Sequence, residues 1–261
     1  MSNSKPFHFK QFSVHHDRCA MKVGTDGVLL GAWASIENTK HILDIGTGSG
    51  VIALMLAQRT NEAVLIDAIE IEKADAEQAG ENVLNSPWAN RISVHQKSLQ
   101  DFLPNNKYDL IVSNPPYFVN SLLPPTKSRT QARHTSNLSF EELIAHSLRL
   151  LNDNGRLAVI LPFNEGNIFK TIAEKNQLYL IRETAFHSKE EKPQERWLLE
   201  FSFQKKELIS DKLTLYNSNG NKSSDYQKLT FDFYKVTIYN LGLTEIEKAF
   251  LGVFIKNCIF L

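Results

Sequence analysis

The sequence predicts an α/β fold, a mostly parallel sheet with helices on both faces. Two observations carry this. From residue 41 onward, short apolar runs alternate with stretches of helical character, the pattern of βαβ units. The first such strand and helix are joined by a glycine-rich turn, Gly46-Thr-Gly48-Ser-Gly50. In open sheets of this kind, ligands sit beyond the carboxyl ends of the strands.

The elements follow in order. Phe7–Phe12 nearly alternates and reads as a short strand. Residues 17–33 are mixed, and Gly27–Trp33 suits a helix. His41–Ile45 is a short apolar strand and Val51–Arg59 an unbroken helix. Ala63–Glu70 is the next strand, and Glu72–Asn85 a helix poor in apolar residues that Ser86-Pro87 ends. Arg91–His95 and Tyr108–Ser113 are strands three and four of this series. Phe118–Ser139 is a long connection, of a length that is usually functional. Phe140–Leu151 is a helix with Ser139 or Asn137 as its cap. Strand Arg156–Leu161, helix Gly166–Lys175 and strands Leu178–Thr184 and Trp197–Phe203 complete the series.

Lysine plus arginine and aspartate plus glutamate both number 29, so the net charge is zero. A nucleic-acid partner would need a local basic patch. Two cysteines far apart, Cys19 and Cys258, form neither a disulfide framework nor a metal motif, and suit a reducing cytoplasm. His15-His16-Asp17 is no metal site either, because adjacent strand residues face opposite ways. The N-terminus lacks the apolar core of a signal peptide, and no run is long enough to span a membrane.

The glycine turn has G-x-G-x-G order, with Val51 where a pyrophosphate binder has another pattern. Glu70 ends the next strand, where a carboxylate takes ribose hydroxyls. Asp44 adds an acid suited to a ligand bearing an ammonium or sulfonium. Together they point to a nucleoside-type cofactor. The fourth strand stops abruptly in Asn114-Pro115-Pro116-Tyr117, where two prolines remove two backbone donors and fix two φ angles.

"LDIGTGSG" with Glu70 resembles the cofactor site of class I S-adenosylmethionine-dependent methyltransferases. The resemblance implies a Rossmann-like, seven-stranded, mostly parallel sheet whose last strand is antiparallel. It implies contacts to the cofactor from Asp44, Gly46, Gly48, Gly50, Glu70 and Asn114. Ser98 stands where many members carry an acid for the adenine amino group. Ser98, Asp101 or the backbone is left to make that contact. Lys22, Thr25 and Asp26 fall in a block that, in the family, covers the methionine end, with Asp26 taking the amino group. Thr25 or Asp26 also fits a helix N-cap.

The NPPY motif resembles that of methyltransferases acting on planar nitrogens. The Asn114 side-chain oxygen and the Pro115 carbonyl are the implied acceptors for the target N–H groups, with Pro116 fixing their geometry and Tyr117 stacking on the target. Such pre-positioned acceptors stabilise charge as it develops. Residues 9–33 with "ENVLNSPW", "QARH" and "LTFDFY" are similar to the bacterial family that methylates N6 of the adenine at position 37 of valine tRNA 1. The implied partner is the anticodon loop, whose unpaired bases can be splayed into a pocket. Lys127, Arg129, Arg133 and His134 are candidates for its phosphates, with Lys5, Lys10 and Arg18 extending the patch. No metal is implied. NPPY alone also suits a protein glutamine N5-methyltransferase or a guanine methyltransferase of ribosomal RNA, and a non-catalytic, cofactor-responsive RNA binder is the alternative outside the enzymes. The resemblance spans roughly residues 7–235 and defines a methyltransferase domain over 1–235. Residues 236–261 form an atypical tail in which Thr244, Ile246, Phe250, Phe254 and Cys258 pattern a short amphipathic helix.

Overall fold

The computed structural model describes residues 5–116 and 138–234. Ten strands and six helices are described. The main sheet runs through β3 (His41–Ile45), β4 (Leu65–Glu70), β5 (Ile92–Gln96), β6 (Tyr108–Ser113), β7 (Leu151–Pro162), β8 (Tyr179–Lys189), β9 (Arg196–Ser202) and β10 (Ile209–Tyr216). Their order across the sheet is β10-β8-β9-β7-β6-β3-β4-β5. Only β9 runs antiparallel to its neighbours. The seven expected strands are therefore present, with the last of them antiparallel. The sheet has eight strands, not seven, because β10 adds parallel to β8 at the edge. Leu213 and Leu215 point inward there, whereas the first four residues of β10 are exposed.

Successive side chains in the central strands enter opposite cores. Ile42, Leu110, Ala158 and Leu198 join one cluster, and Leu43, Ile111, Val159 and Leu199 the other. Both faces are covered, so the strands read as continuous apolar runs rather than alternating ones. Helices α1 (Thr25–Trp33), α2 (Val51–Arg59) and α6 (Ser224–Thr230) pack on the first face, and α4 (Phe140–Leu150) and α5 (Phe163–Lys175) on the second. Ser139 caps α4 with a complete capping box to Glu142.

Helix α3 (Lys73–Leu84) explains its own lack of apolar residues. Its buried polar side chains, Asp75, Gln78 and Asn82, hold the N-terminal segment. Asn82 accepts from the His15 amide at 2.9 Å and donates to the His15 carbonyl at 2.7 Å and the Ser49 carbonyl at 2.9 Å. Gln78 accepts from Arg18, and Asp75 from the Ala20 amide.

The expected single strand Phe7–Phe12 is instead a hairpin of β1 (Phe7–His8) and β2 (Ser13–Val14). The chain reverses between Phe9 and Phe12, whose amide and carbonyl bond at 2.9 Å. The reversal stacks Phe9 on Phe12 and sets Phe9 against Phe233 and Tyr234. Helix α1 begins two residues earlier than expected, at Thr25. Its N-cap is Gly24 with no side-chain bond, so neither Thr25 nor Asp26 caps it.

Among the described residues no helix is long and apolar enough to cross a membrane. Tyr117, Lys127, Arg129, Arg133, His134 and the tail 236–261 lie outside the described residues.

Candidate active site

The chain leaves β3 for β4 and β5 on one side and returns to β6 on the other. That reversal opens a crevice at the carboxyl ends of the strands. A cleft of about 930 Å³ occupies it, bounded by the glycine turn, Glu70, the Lys22–Gly27 segment, Ser98 to Asp101, and Asn114-Pro115-Pro116.

The turn is shaped for close approach. Gly46, Gly48 and Gly50 have φ of 70°, 53° and 81°, in the left-handed region where side chains are strained. A Cβ added at Gly46 or Gly48 would meet nothing within 4 Å, so the space above both is open to a ligand. Gly50 differs: its Cα faces Ala79 of α3 and closes the helix packing rather than the cleft.

Asp44 is fully buried behind the turn. Its Oδ2 accepts from Thr47 Oγ1 at 2.6 Å and from the Ala53 amide at 3.2 Å, while Oδ1 has no partner. Burial pushes its carboxyl up to about 7 against the lowering effect of those two bonds. Asp44 therefore braces the turn and is absent from the lining of the cleft.

Glu70 does line the cleft. Its Oε1 accepts from the Ile71 and Glu72 amides at 2.8 and 3.1 Å, and Oε2 from the Gly48 amide at 3.0 Å. Burial raises its pKa, and the backbone donors oppose that rise. The side chain is locked in place, with acceptor capacity left over.

Ser98 donates to Asp101 Oδ2 at 2.6 Å and accepts from the Asp101 amide at 3.1 Å. Its hydroxyl is engaged both ways, and the carboxylate beside it is the stronger acceptor facing the cleft. Lys22 also lines the cleft, but its ammonium donates to the His16 and Asp17 carbonyls at 2.7 and 3.4 Å. His16 Nδ1 accepts from the Val23 amide at 3.0 Å, and burial lowers the pKa of its ring. Among the described residues no group of three or more His, Cys, Asp and Glu is placed to hold a metal.

Asp26, on the first turn of α1, pairs with Arg196 at 2.9 Å, and both line the cleft. Arg196 opens β9 and had no signal in the sequence beyond its place in "HSKEEKPQER". Opposite, Asn114 follows β6 directly. Ser113 Oγ donates to the Ile45 carbonyl at 2.9 Å and so ties the end of β6 to the end of β3. The strands pair from Ile42↔Leu110 to Ile45↔Ser113. This register sets the Asn-Pro-Pro run beside the glycine turn. Of the basic residues expected to extend a phosphate patch, Arg18 pairs with Glu81, and Lys10 reaches the Phe231 carbonyl and ring.

Comparison with known proteins agrees with this arrangement. Residues 22–175 match the model of the methyltransferase small domain family. Among solved structures, a predicted O-methyltransferase of Agrobacterium tumefaciens superposes with a TM-score of 0.64 at 16% identity, covering 80% of this chain and 96% of that one. The glycopeptide N-methyltransferase MtfA, solved with S-adenosyl-L-methionine, gives 0.52 at 11%, covering 70% of this chain and all of that one. These two establish the fold alone. Closer relatives are the tRNA1(Val) (adenine(37)-N6)-methyltransferases of Bacteroides fragilis, 47% identical over 88% of this chain and 98% of that protein, and of Salmonella typhi, 46% identical over 87% and 94%. With this identity sustained across nearly its whole length, the chain belongs to the tRNA1(Val) (adenine(37)-N6)-methyltransferase family.

Proposed function

We propose that this protein transfers a methyl group from S-adenosylmethionine to N6 of adenine 37 in the anticodon loop of valine tRNA 1. The observation that carries the reading is the Asn114-Pro115-Pro116 run ending β6 in the same cleft as the glycine turn and Glu70. The open space above Gly46 and Gly48 fits the cofactor, as does the immobilised acceptor at Glu70. When bound, S-adenosylmethionine supplies an electrophilic sulfonium methyl.

The chain's own residues divide the remaining work. Glu70 holds the ribose hydroxyls, and the glycine turn admits the nucleoside to the backbone. Asp101, with Ser98 orienting it, accepts from the cofactor's adenine amino group. Lys22 and Thr25 wall the methionine end. Asp26 meets its ammonium while shared with Arg196. Asp44 acts on all of this only through the turn it braces.

On the substrate side, the adenine N6 lone pair is tied into the ring. The Asn114 oxygen and the Pro115 carbonyl accept its two N–H groups and favour the pyramidal geometry that frees it. The prolines fix two φ angles beside Asn114 and so reduce the entropy lost in holding the acceptors in place. Tyr117 stacks on the base, and Lys127, Arg129, Arg133 and His134 meet loop phosphates. The proton departs only after nitrogen has become cationic, so no strong base is required. Residues 1–235 form the catalytic unit, with 236–261 an appendage to it, and the tRNA substrate puts the enzyme in the cytoplasm.

The test is methyl transfer from labelled cofactor to a panel of unmodified tRNAs and, in parallel, to release factors, with the labelled nucleoside or residue identified by mass spectrometry. Label confined to N6-methyladenosine at position 37 of valine tRNA 1 supports the reading. Label in another tRNA, or only in a release-factor glutamine, overturns it.

A further inference from the structure

We propose that Phe163, backed by Trp197, is a stacking platform for an unpaired tRNA base adjacent to the target adenine. The inference rests on the tRNA reading above. Phe163 is the first residue of α5, at the carboxyl end of β7. β7 pairs with β6 up to Val159↔Ser113 and with β9 up to Pro162↔Arg196, so Phe163 emerges at the same end of the sheet as the Asn-Pro-Pro run, directly after the residue paired with the cleft-lining Arg196. Its amide donates to the Glu195 carbonyl at 3.1 Å, next to the cleft-lining Arg196.

Singly exposed apolar side chains are ordinary. Phe163 differs in being exposed and held. It is 41% exposed, and its inner face stacks on Trp197 with centroids 6.2 Å apart and planes 21° apart. Trp197 is fixed in turn. Its Nε1 donates to Asn167 Oδ1 at 3.1 Å, Lys170 Nζ sits 3.4 Å from its ring centre, and a side chain at Gly166 would collide with it at 2.7 Å.

The local charges choose between base and phosphate. Lys170 pairs with Glu183 at 2.6 Å, and Arg196 with Asp26. Each cation is matched by a carboxylate, so the patch offers a flat apolar face rather than net positive charge. A pre-ordered aromatic face beside the cleft-lining Arg196 suits stacking, which tolerates any base.

The experiment compares wild type, Phe163→Ala and Phe163→Trp on unmodified valine tRNA 1, and on versions abasic at either neighbour of the target adenine. Phe163→Ala is expected to raise KM for tRNA about tenfold, with kcat and cofactor affinity unchanged and the melting temperature lowered by only a few degrees for the lost Trp197 contact, and Phe163→Trp to restore it. On one of the two abasic tRNAs the difference between wild type and Phe163→Ala should shrink below about twofold. Wild-type kinetics for Phe163→Ala, or a penalty undiminished on both abasic tRNAs, or a parallel fall in cofactor affinity, overturns the platform alone. Failure of wild type to methylate any tRNA overturns the tRNA reading and the platform with it.

Discussion

At the glycine turn, carboxylates bond to groups close by in sequence, whereas at the opposite lip they bond across the whole chain. Asp44 reaches Thr47 and Ala53, and Glu70 reaches Ile71, Glu72 and Gly48. Asp26 and Arg196 are 170 residues apart. The turn thus needs only β4 laid against β3, with the Ile69 carbonyl and Glu70 carboxylate of β4 holding it. The lip exists only once β9 has been laid against β7. The cofactor site is built locally at its nucleoside end, and at its methionine end from strands far apart in sequence.

Substitutions can break or sharpen that contrast, the largest effect first. Asn114→Ala removes a transition-state acceptor and should lower kcat by roughly 10²–10³-fold, with cofactor affinity retained by calorimetry. Loss of cofactor binding instead would move Asn114 to the cofactor half. Gly48→Val puts a side chain into the open cradle at a φ of 53°. Cofactor affinity should fall about a hundredfold, and the strained backbone should separately cost about 1–2 kcal/mol of folding stability; unchanged affinity would mean the cradle is not where the nucleoside lies.

Asp44 gives a pH signature. Its folded pKa, about 7, lies above the ordinary carboxyl value of 3.8. The folded state therefore binds the proton more tightly, and stability is greatest at low pH. It declines as pH rises from about 4 to 7, by of order 4 kcal/mol. Asp44→Asn keeps an oxygen for Thr47 and Ala53 and has no charge to bury, so its stability should be flatter across that window in denaturant titrations. A slope matching wild type would rule out Asp44 as its source. The smallest effect is expected at the lip, where Arg196→Ala removes a partly exposed pair worth about 1 kcal/mol or less. Its melting temperature should move by only a few degrees, while the effect on activity should fall on KM for S-adenosylmethionine, whose ammonium Asp26 meets. A large loss of stability would show the lip to be as structural as the turn.

The same contrast explains what the sequence made legible. The strands β3 to β9 announce themselves because burial on both faces writes continuous apolar runs, and the turn because glycines at positive φ have few substitutes. Glu70 and Asn114 follow from their places at strand ends. Arg196 was not legible, since its role comes from a partner 170 residues away. Phe7–Phe12 reads from sequence as one strand, where the structure has a hairpin, because the reversal is stabilised by Phe233 and Tyr234 rather than by turn residues. β10 was missed because half of it is solvated, leaving only the alternation of Leu213 and Leu215 as signal. The engagement of Ser98 by Asp101 is a matter of geometry that residue types alone do not state.

The polar face of α3 limits how far this enzyme can be trimmed. The span shared with the wider family begins at residue 22, which invites a shorter protein starting there. Such a protein would strip Asn82 of both its bonds to His15 and Gln78 of Arg18. Both side chains are almost wholly buried with that segment in place, and the same cut takes Phe9, Phe12 and Val14 out of the apolar core. Residues 15–20 are therefore the missing half of a helix surface, and a minimal catalytic fragment has to include them.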